Sequence, residues 1–265
     1  MTDTFEIVTS ADGTAIALER SGHGRAVVLV GGAFQDRATP RGLAALLAAH
    51  FTVVVYDRRG RGDSGDSAAY AVEREVEDLH AVIERVGGRA AVFGHSSGAI
   101  LSLEAARSHG PVERVVAYEP PYIAGGRPRP ADDVVDRLRA LLAAGRRDDA
   151  VALFQTEAVG IPAPLVEGLR RTEMWPGLVR LAHTLPYDVE ITGPGNRLRL
   201  DHLAQVAVPA LVIAGNAGFP WMMSGTRAAA AAIPGGRHLT LEGGDHGTPQ
   251  THPELLLPLI LDFLA

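Results

Sequence analysis

The chain has 265 residues, a net charge of −6, 46% hydrophobic residues and 21% charged residues. That length fits one large α/β domain, or a core with an insertion, and the composition is that of an ordinary globular protein. No basic stripe is present, which argues against a nucleic-acid partner, and the absence of Cys excludes disulfides, thiol nucleophiles and thiolate metal sites.

The first six residues are polar and acidic, with no basic region leading into an apolar stretch. No apolar run is long enough to span a bilayer. The expectation is a cytoplasmic protein with no membrane partner. Every basic side chain is Arg rather than Lys, which fits coding bias better than function.

Residues 5–9 and 15–19 read as short strands around the turn Asp12-Gly13. The β-branched run 26–30 predicts a strand buried on both faces. A helix follows over about 41–49, then a second buried strand over 51–57 and a Gly-rich, Arg-rich loop over 58–65. The Arg-rich loop lacks a phosphate-cradling Gly spacing at a helix start, so it reads as a solvated structural loop. Val72, Val76, Leu79, Ile83 and Val86 form one helical stripe that ends at Gly87-Gly88. Residues 90–93 form a buried strand, 99–107 a helix, and 114–118 the next strand. Strands and helices alternating at this rhythm imply a mostly parallel sheet with right-handed crossovers.

The rhythm then breaks. Residues 123–204 show no strong strand and predict helices over 132–144, 148–158 and 165–171. It resumes with a strand at 210–215, a helix at 224–232, a strand at 238–242 and a helix at 253–264. The expected division is a core of residues 1–122 and 205–265 carrying a helical insertion, 123–204.

Residues 94–98 read Gly-His-Ser-Ser-Gly and stand between a predicted buried strand and a predicted helix. A G-x-S-x-G there fits a nucleophile elbow. The turn is so tight that side chains two residues to either side of Ser96 would collide with backbone. It lifts the Ser96 hydroxyl off the sheet and aims N–H groups at a helix N-terminus toward whatever Ser96 attacks. The competing role is a helix-capping serine.

The whole chain resembles the α/β-hydrolase fold, and the segments Gly-Gly-Ala-Phe (31–34), Asp-Arg-Arg-Gly-Arg-Gly-Asp-Ser-Gly (57–65), Gly-His-Ser-Ser-Gly (94–98), Tyr-Glu-Pro-Pro (118–121) and Gly-Gly-Asp-His-Gly (243–247) carry the resemblance. Together they look like a bacterial serine-hydrolase branch with a helical cap. The resemblance implies an eight-stranded, doubly wound, mostly parallel sheet, with 123–204 as the cap. It also implies an oxyanion hole from the backbone N–H groups of Ala33 and Ser97, with Phe34 as the alternative to Ala33. Gly31 stands where the family usually has His.

In that frame His246 is the expected base, because it follows the last strand, is flanked by glycines and comes last in the order Ser, acid, His. His95 lies inside the elbow, where its side chain is expected to point away from the nucleophile, either packing or supporting the residues around the site. The acid usually follows the seventh strand, but that stretch, 212–219, holds no carboxylate. Asn216 is neutral and cannot stabilise imidazolium by charge. Glu119, at the end of the sixth strand before Pro120-Pro121, is the expected replacement. Its competing role is a salt-bridged or cap-contacting carboxylate.

Phe34, Tyr122, Trp175, Phe219, Trp221 and Met222 are the candidate pocket residues, each with ordinary packing as the alternative. Phe34 and Trp221 are favoured because both are expected on loops at strand ends. No metal-ligand spacing and no cofactor motif is present, so no cofactor is expected. The expected function is hydrolysis of an ester, lactone or related acyl bond of a small molecule. Alternatives are a non-hydrolytic enzyme on the same scaffold (cyclase, lyase or acyltransferase) and a ligand-binding protein without turnover. A homodimer is left open.

Overall fold

The computed structural model describes residues 4–67 and 69–265. Eight strands form one sheet: β1 (Thr4–Thr9), β2 (Ala15–Gly22), β3 (Ala26–Val30), β4 (Thr52–Tyr56), β5 (Ala90–His95), β6 (Val112–Tyr118), β7 (Ala210–Gly215) and β8 (Arg237–Leu241). Their spatial order is β1-β2-β4-β3-β5-β6-β7-β8. β1 and β2 are antiparallel to their neighbours, and all other pairs are parallel.

The central strands are apolar over most of their length because helices cover both faces. Alternate residues feed alternate layers. Val28, Val54, Val92 and Val212 face α2 (Val72–Arg85), α3 (Ser97–Arg107) and α10 (Pro220–Ala232). Val27, Val53, Phe93 and Leu211 face α1 (Arg41–Leu47) and α12 (Leu257–Leu264). Each fully buried Val or Leu contributes about 1.5–3 kcal/mol relative to exposure. Among the described residues, no helix is long and apolar enough to cross a membrane.

Between β6 and β7 the described chain forms only helices and turns: α4 (Val134–Ala143), α5 (Arg147–Leu153), a π-helical turn (Phe154–Val159), α6 (Ala163–Leu169), α7 (Trp175–Arg180), α8 (Leu185–Thr192) and α9 (Leu200–Leu203). These helices have their own apolar cluster, around Val134, Leu138, Val151 and Leu185, on which Ala33 and Phe34 also pack. The single helix predicted over 148–158 is in fact α5 running into the π turn. The helix predicted from 224 begins at Pro220, whose fixed φ suits a first helical turn. Trp221 therefore sits in the first turn of a helix and not on a loop. A short helix, α11 (Thr248–Thr251), follows the His246 loop.

Candidate active site

The carboxyl ends of β5, β6 and β7 lie side by side, with His95 opposite Tyr118 and Tyr118 opposite Ile213. Ser96 follows β5 directly and has φ 57° and ψ −124°. A positive φ at a residue with a side chain is strained, at a cost of about 1–3 kcal/mol. Close packing enforces it. A Cβ on Gly94 would lie 2.4 Å from the Gly98 carbonyl oxygen, and one on Gly98 would lie 2.4 Å from the Val30 carbonyl oxygen. Elbow strand, elbow helix and β3 thus touch backbone to backbone. The Ser96 N–H donates to the Tyr118 carbonyl (3.0 Å). α3 starts at Ser97, so the Ser97 N–H is among the helix's first donors, which have no intrahelical acceptor.

Glu119 follows β6 directly and also has a positive φ, 47°. Its N–H donates to the Ile213 carbonyl (2.9 Å). Its side chain is fully buried, and Oε1 accepts from the Gly215 N–H at 3.0 Å. Oε2 lies 2.7 Å from His246 Nδ1. An ionised carboxylate only accepts, so this contact puts a proton on Nδ1, and in the neutral ring Nε2 is then the free acceptor. His246 reaches across the sheet because its loop lies on the end of β7. A Cβ on Gly215 would come within 2.1 Å of the Gly244 carbonyl oxygen. The Ala217 N–H donates to that same carbonyl (2.8 Å). The Tyr118 hydroxyl donates to the Asp245 carbonyl (2.6 Å). Asp245 itself turns back to accept from the Gly247 N–H (2.9 Å). Asn216 bonds Glu242 (2.5 Å) and the Gly243 N–H (2.8 Å), away from His246.

Ser96 and His246 line one cavity of about 300 Å³. Among the described residues, none hydrogen-bonds the Ser96 hydroxyl. Such contacts often tighten only when substrate binds. Ala33, Ser97, Phe34, Phe219, Trp221 and Met222 also line the cavity. Phe34 has φ 60° and packs edge-on against Phe154 at 5.4 Å. Tyr122 and Trp175 do not line the cavity. Tyr122 is buried in the core layer with α3, and its carbonyl lies where a Gly225 side chain would go. Trp175 packs among the inserted helices, where its indole N–H donates to Asp148 (2.8 Å). Aromatic character marked both residues, but the direction each faces is set by packing that periodicity does not encode.

Two other expectations are corrected. His95 does not point away from the site. Its ring centroid is 4.6 Å from that of His246, and it lines the cavity. The Gly32 N–H donates to Gln35 Oε1 (2.8 Å), so the Gln35 amide nitrogen is the donor to His95 Nδ1 (2.8 Å). His95 therefore carries its proton on Nε2. Burial first, then the neighbouring His246, hold its pKa well below the usual imidazole range. Gln35 fixes the loop after β3 and His95 together, and no sequence motif marks it.

The Arg-rich loop is structural but not solvated. Arg58, Arg59 and Arg61 are all at most 2% exposed. Arg58 forms a bidentate pair with Glu75 (2.7 Å for both bonds), and Arg59 pairs with Asp78 (2.7 and 2.8 Å). Arg58 (2.9 Å) and Arg61 (2.8 Å) converge on Asp188 of α8, which also accepts from the Ser97 hydroxyl at 2.7 Å. Burial alone would raise the Asp188 pKa, but Arg61 and Arg58 hold it below the usual carboxylate value. Asp188 thus ties the inserted helices to the residue after the elbow serine. Three arginines in four positions were a readable sign of buried acids elsewhere in the chain.

Among the described residues, no group of three or more His, Asp or Glu has the geometry of a metal site. The arrangement supplies a serine hydroxyl on a strained backbone, a carboxylate-oriented imidazole and a helix N-terminus on one apolar cavity. It suits attack on a carbonyl carbon.

A family model described as the alpha/beta hydrolase family matches residues 11–259. A crystal structure of an alpha/beta hydrolase from Sphaerobacter thermophilus superposes with a TM-score of 0.89 at 49% identity, covering 98% of this chain and 100% of that one. RutD of Pantoea ananatis, whose name gives carbamate hydrolysis as its inferred activity, is 27% identical over 232 residues, 83% of this chain and 81% of that protein. The N-formylmaleamate deformylase of Pseudomonas putida is 31% identical over 146 residues, 52% of this chain and 54% of that protein.

Proposed function

Because the chain belongs to the alpha/beta hydrolase family, and is a hydrolase, we propose that it cleaves an ester, lactone or related acyl bond of a small molecule through Ser96, His246 and Glu119. His246 Nε2 takes the Ser96 proton as the hydroxyl oxygen attacks the carbonyl carbon. The N–H groups of Ala33 and Ser97 hold the resulting oxyanion. His246 returns the proton to the leaving group as the acyl–oxygen bond breaks. It then activates a water that releases the acid and regenerates Ser96. Glu119 holds the ring and stabilises the imidazolium. One oxyanion donor lowers the barrier by about 3 kcal/mol. Residues 123–204 act as a cap, and Phe34, Phe219, Trp221 and Met222 form walls that receive the substrate.

The observation that carries this reading is the 2.7 Å contact between His246 and the buried carboxylate of Glu119, on the same cavity as the strained Ser96. Initial rates on 4-nitrophenyl acetate test it. Ser96→Ala and His246→Ala should each lower kcat by about 10³-fold or more. Wild-type rates in either variant overturn the assignment.

A further inference from the structure

Apart from Ser96, His246 and Nε2 of His95, which has no partner among the described residues, most polar side chains around the cavity are engaged. Gln35 is held by Gly32 and His95. Asp188 is held by Ser97, Arg58 and Arg61. Thr192 donates to the Val189 carbonyl (2.9 Å), and the Asn196 amide donates to the Pro121 carbonyl (3.1 Å). Gln155 differs. It is 8% exposed and lines the cavity, yet among the described residues its side-chain amide makes no hydrogen bond.

Its position is fixed by its backbone. Gln155 is the second residue of the π turn, and its carbonyl accepts from both the Gly160 N–H (3.1 Å) and the Ile161 N–H (2.9 Å). π turns are rare and concentrate at functional sites. The neighbouring cavity residues Phe154, Ala158, Val159 and Ile161 are apolar and offer no side-chain partner. The Gln155 amide atoms stay accessible within the cavity, so a ligand that displaces water there has to replace those hydrogen bonds.

Charge narrows the ligand further. No Arg is among the described residues lining the cavity, and the chain has no Lys. The nearby Arg58 and Arg61 are already neutralised by Asp188 and Glu75. A carboxylate-bearing ligand would lose its water and meet no free cation there.

We propose that Gln155 is a specificity residue that binds a neutral hydrogen-bonding group of the substrate, of the carboxamide class, remote from the bond that is cleaved. Substrates with a carboxylate at that point are excluded. This rests on Ser96 being the nucleophile.

The test uses three fluorophosphonates with matched arms ending in carboxamide, isopropyl or carboxylate. The second-order rate of Ser96 labelling is corrected for each probe's reactivity in buffer. In the wild type the carboxamide arm should label about tenfold faster than the isopropyl arm, and the carboxylate arm slowest. Gln155→Leu and Gln155→Met should bring the carboxamide-to-isopropyl ratio to one or below. A wild-type ratio of one or less overturns the proposal, and this holds even if neither variant folds. A ratio that survives both folded variants also overturns it, with Ser96 still labelled. No labelling of folded wild type by any probe overturns the nucleophile assignment itself.

Discussion

Glu119 is the residue on which the proposed chemistry turns, because nothing at the usual acid position after β7 carries charge. Its place was readable from the missing carboxylate at 212–219 and from its own position at a strand end. Its positive φ and its bond to the Gly215 N–H were not readable, since both depend on where β7 lies. Glu119→Gln keeps the shape but loses the charge that stabilises imidazolium. It should lower kcat/KM by about 10²-fold or more, whereas Asn216→Ala should change it by less than about 10-fold. Steady-state kinetics on one ester decides the ranking, and the reverse order removes Glu119 from its role. His95 gives a separate prediction. An unfolded imidazole takes up a proton near pH 6.5, but folded His95 resists protonation. Below that pH the unfolded state binds more protons, so stability falls as pH drops from about 7 to 5. His80 and His238 are held low by burial in the same sense and add to the slope. Urea midpoints at the two pH values should show a smaller drop in His95→Gln than in the wild type.

At the scale of elements, the parallel strands were legible because continuous β-branched runs have few other uses. The elbow was legible because its glycines answer a steric demand: a Cβ at position 94 would lie 2.4 Å from the Ser102 hydroxyl oxygen as well as from the Gly98 carbonyl. The inserted helices were legible only as helices. Their π turn, and the meeting of α8 with the Arg-rich loop, arise from long-range packing that leaves no local period. That meeting has a measurable cost. Asp188→Asn leaves Arg58 and Arg61 buried with too little opposing charge, and breaking such a pair costs about 3–5 kcal/mol. Urea unfolding should show a loss in that range. A loss below about 1 kcal/mol would mean that solvent reaches these groups.

At the scale of the molecule, the alternation of strands and helices, the break after β6 and the late His loop together made the fold readable before any contact was known. Cavity membership was not, as Tyr122 and Trp175 show. Both are large and aromatic near the right chain positions, but each faces a different apolar cluster. Core burial is cooperative across the sheet. Ile100 of α3 is fully buried in the layer that supports the elbow. Ile100→Ala should cost about 2–5 kcal/mol by urea unfolding. The central claim is that the fold holds an activated serine at position 96. Intact mass after treatment with a simple fluorophosphonate tests it most directly. One adduct per chain in the wild type, absent from folded Ser96→Ala, is the predicted result. An unmodified wild type, or equal labelling of both proteins, would contradict it.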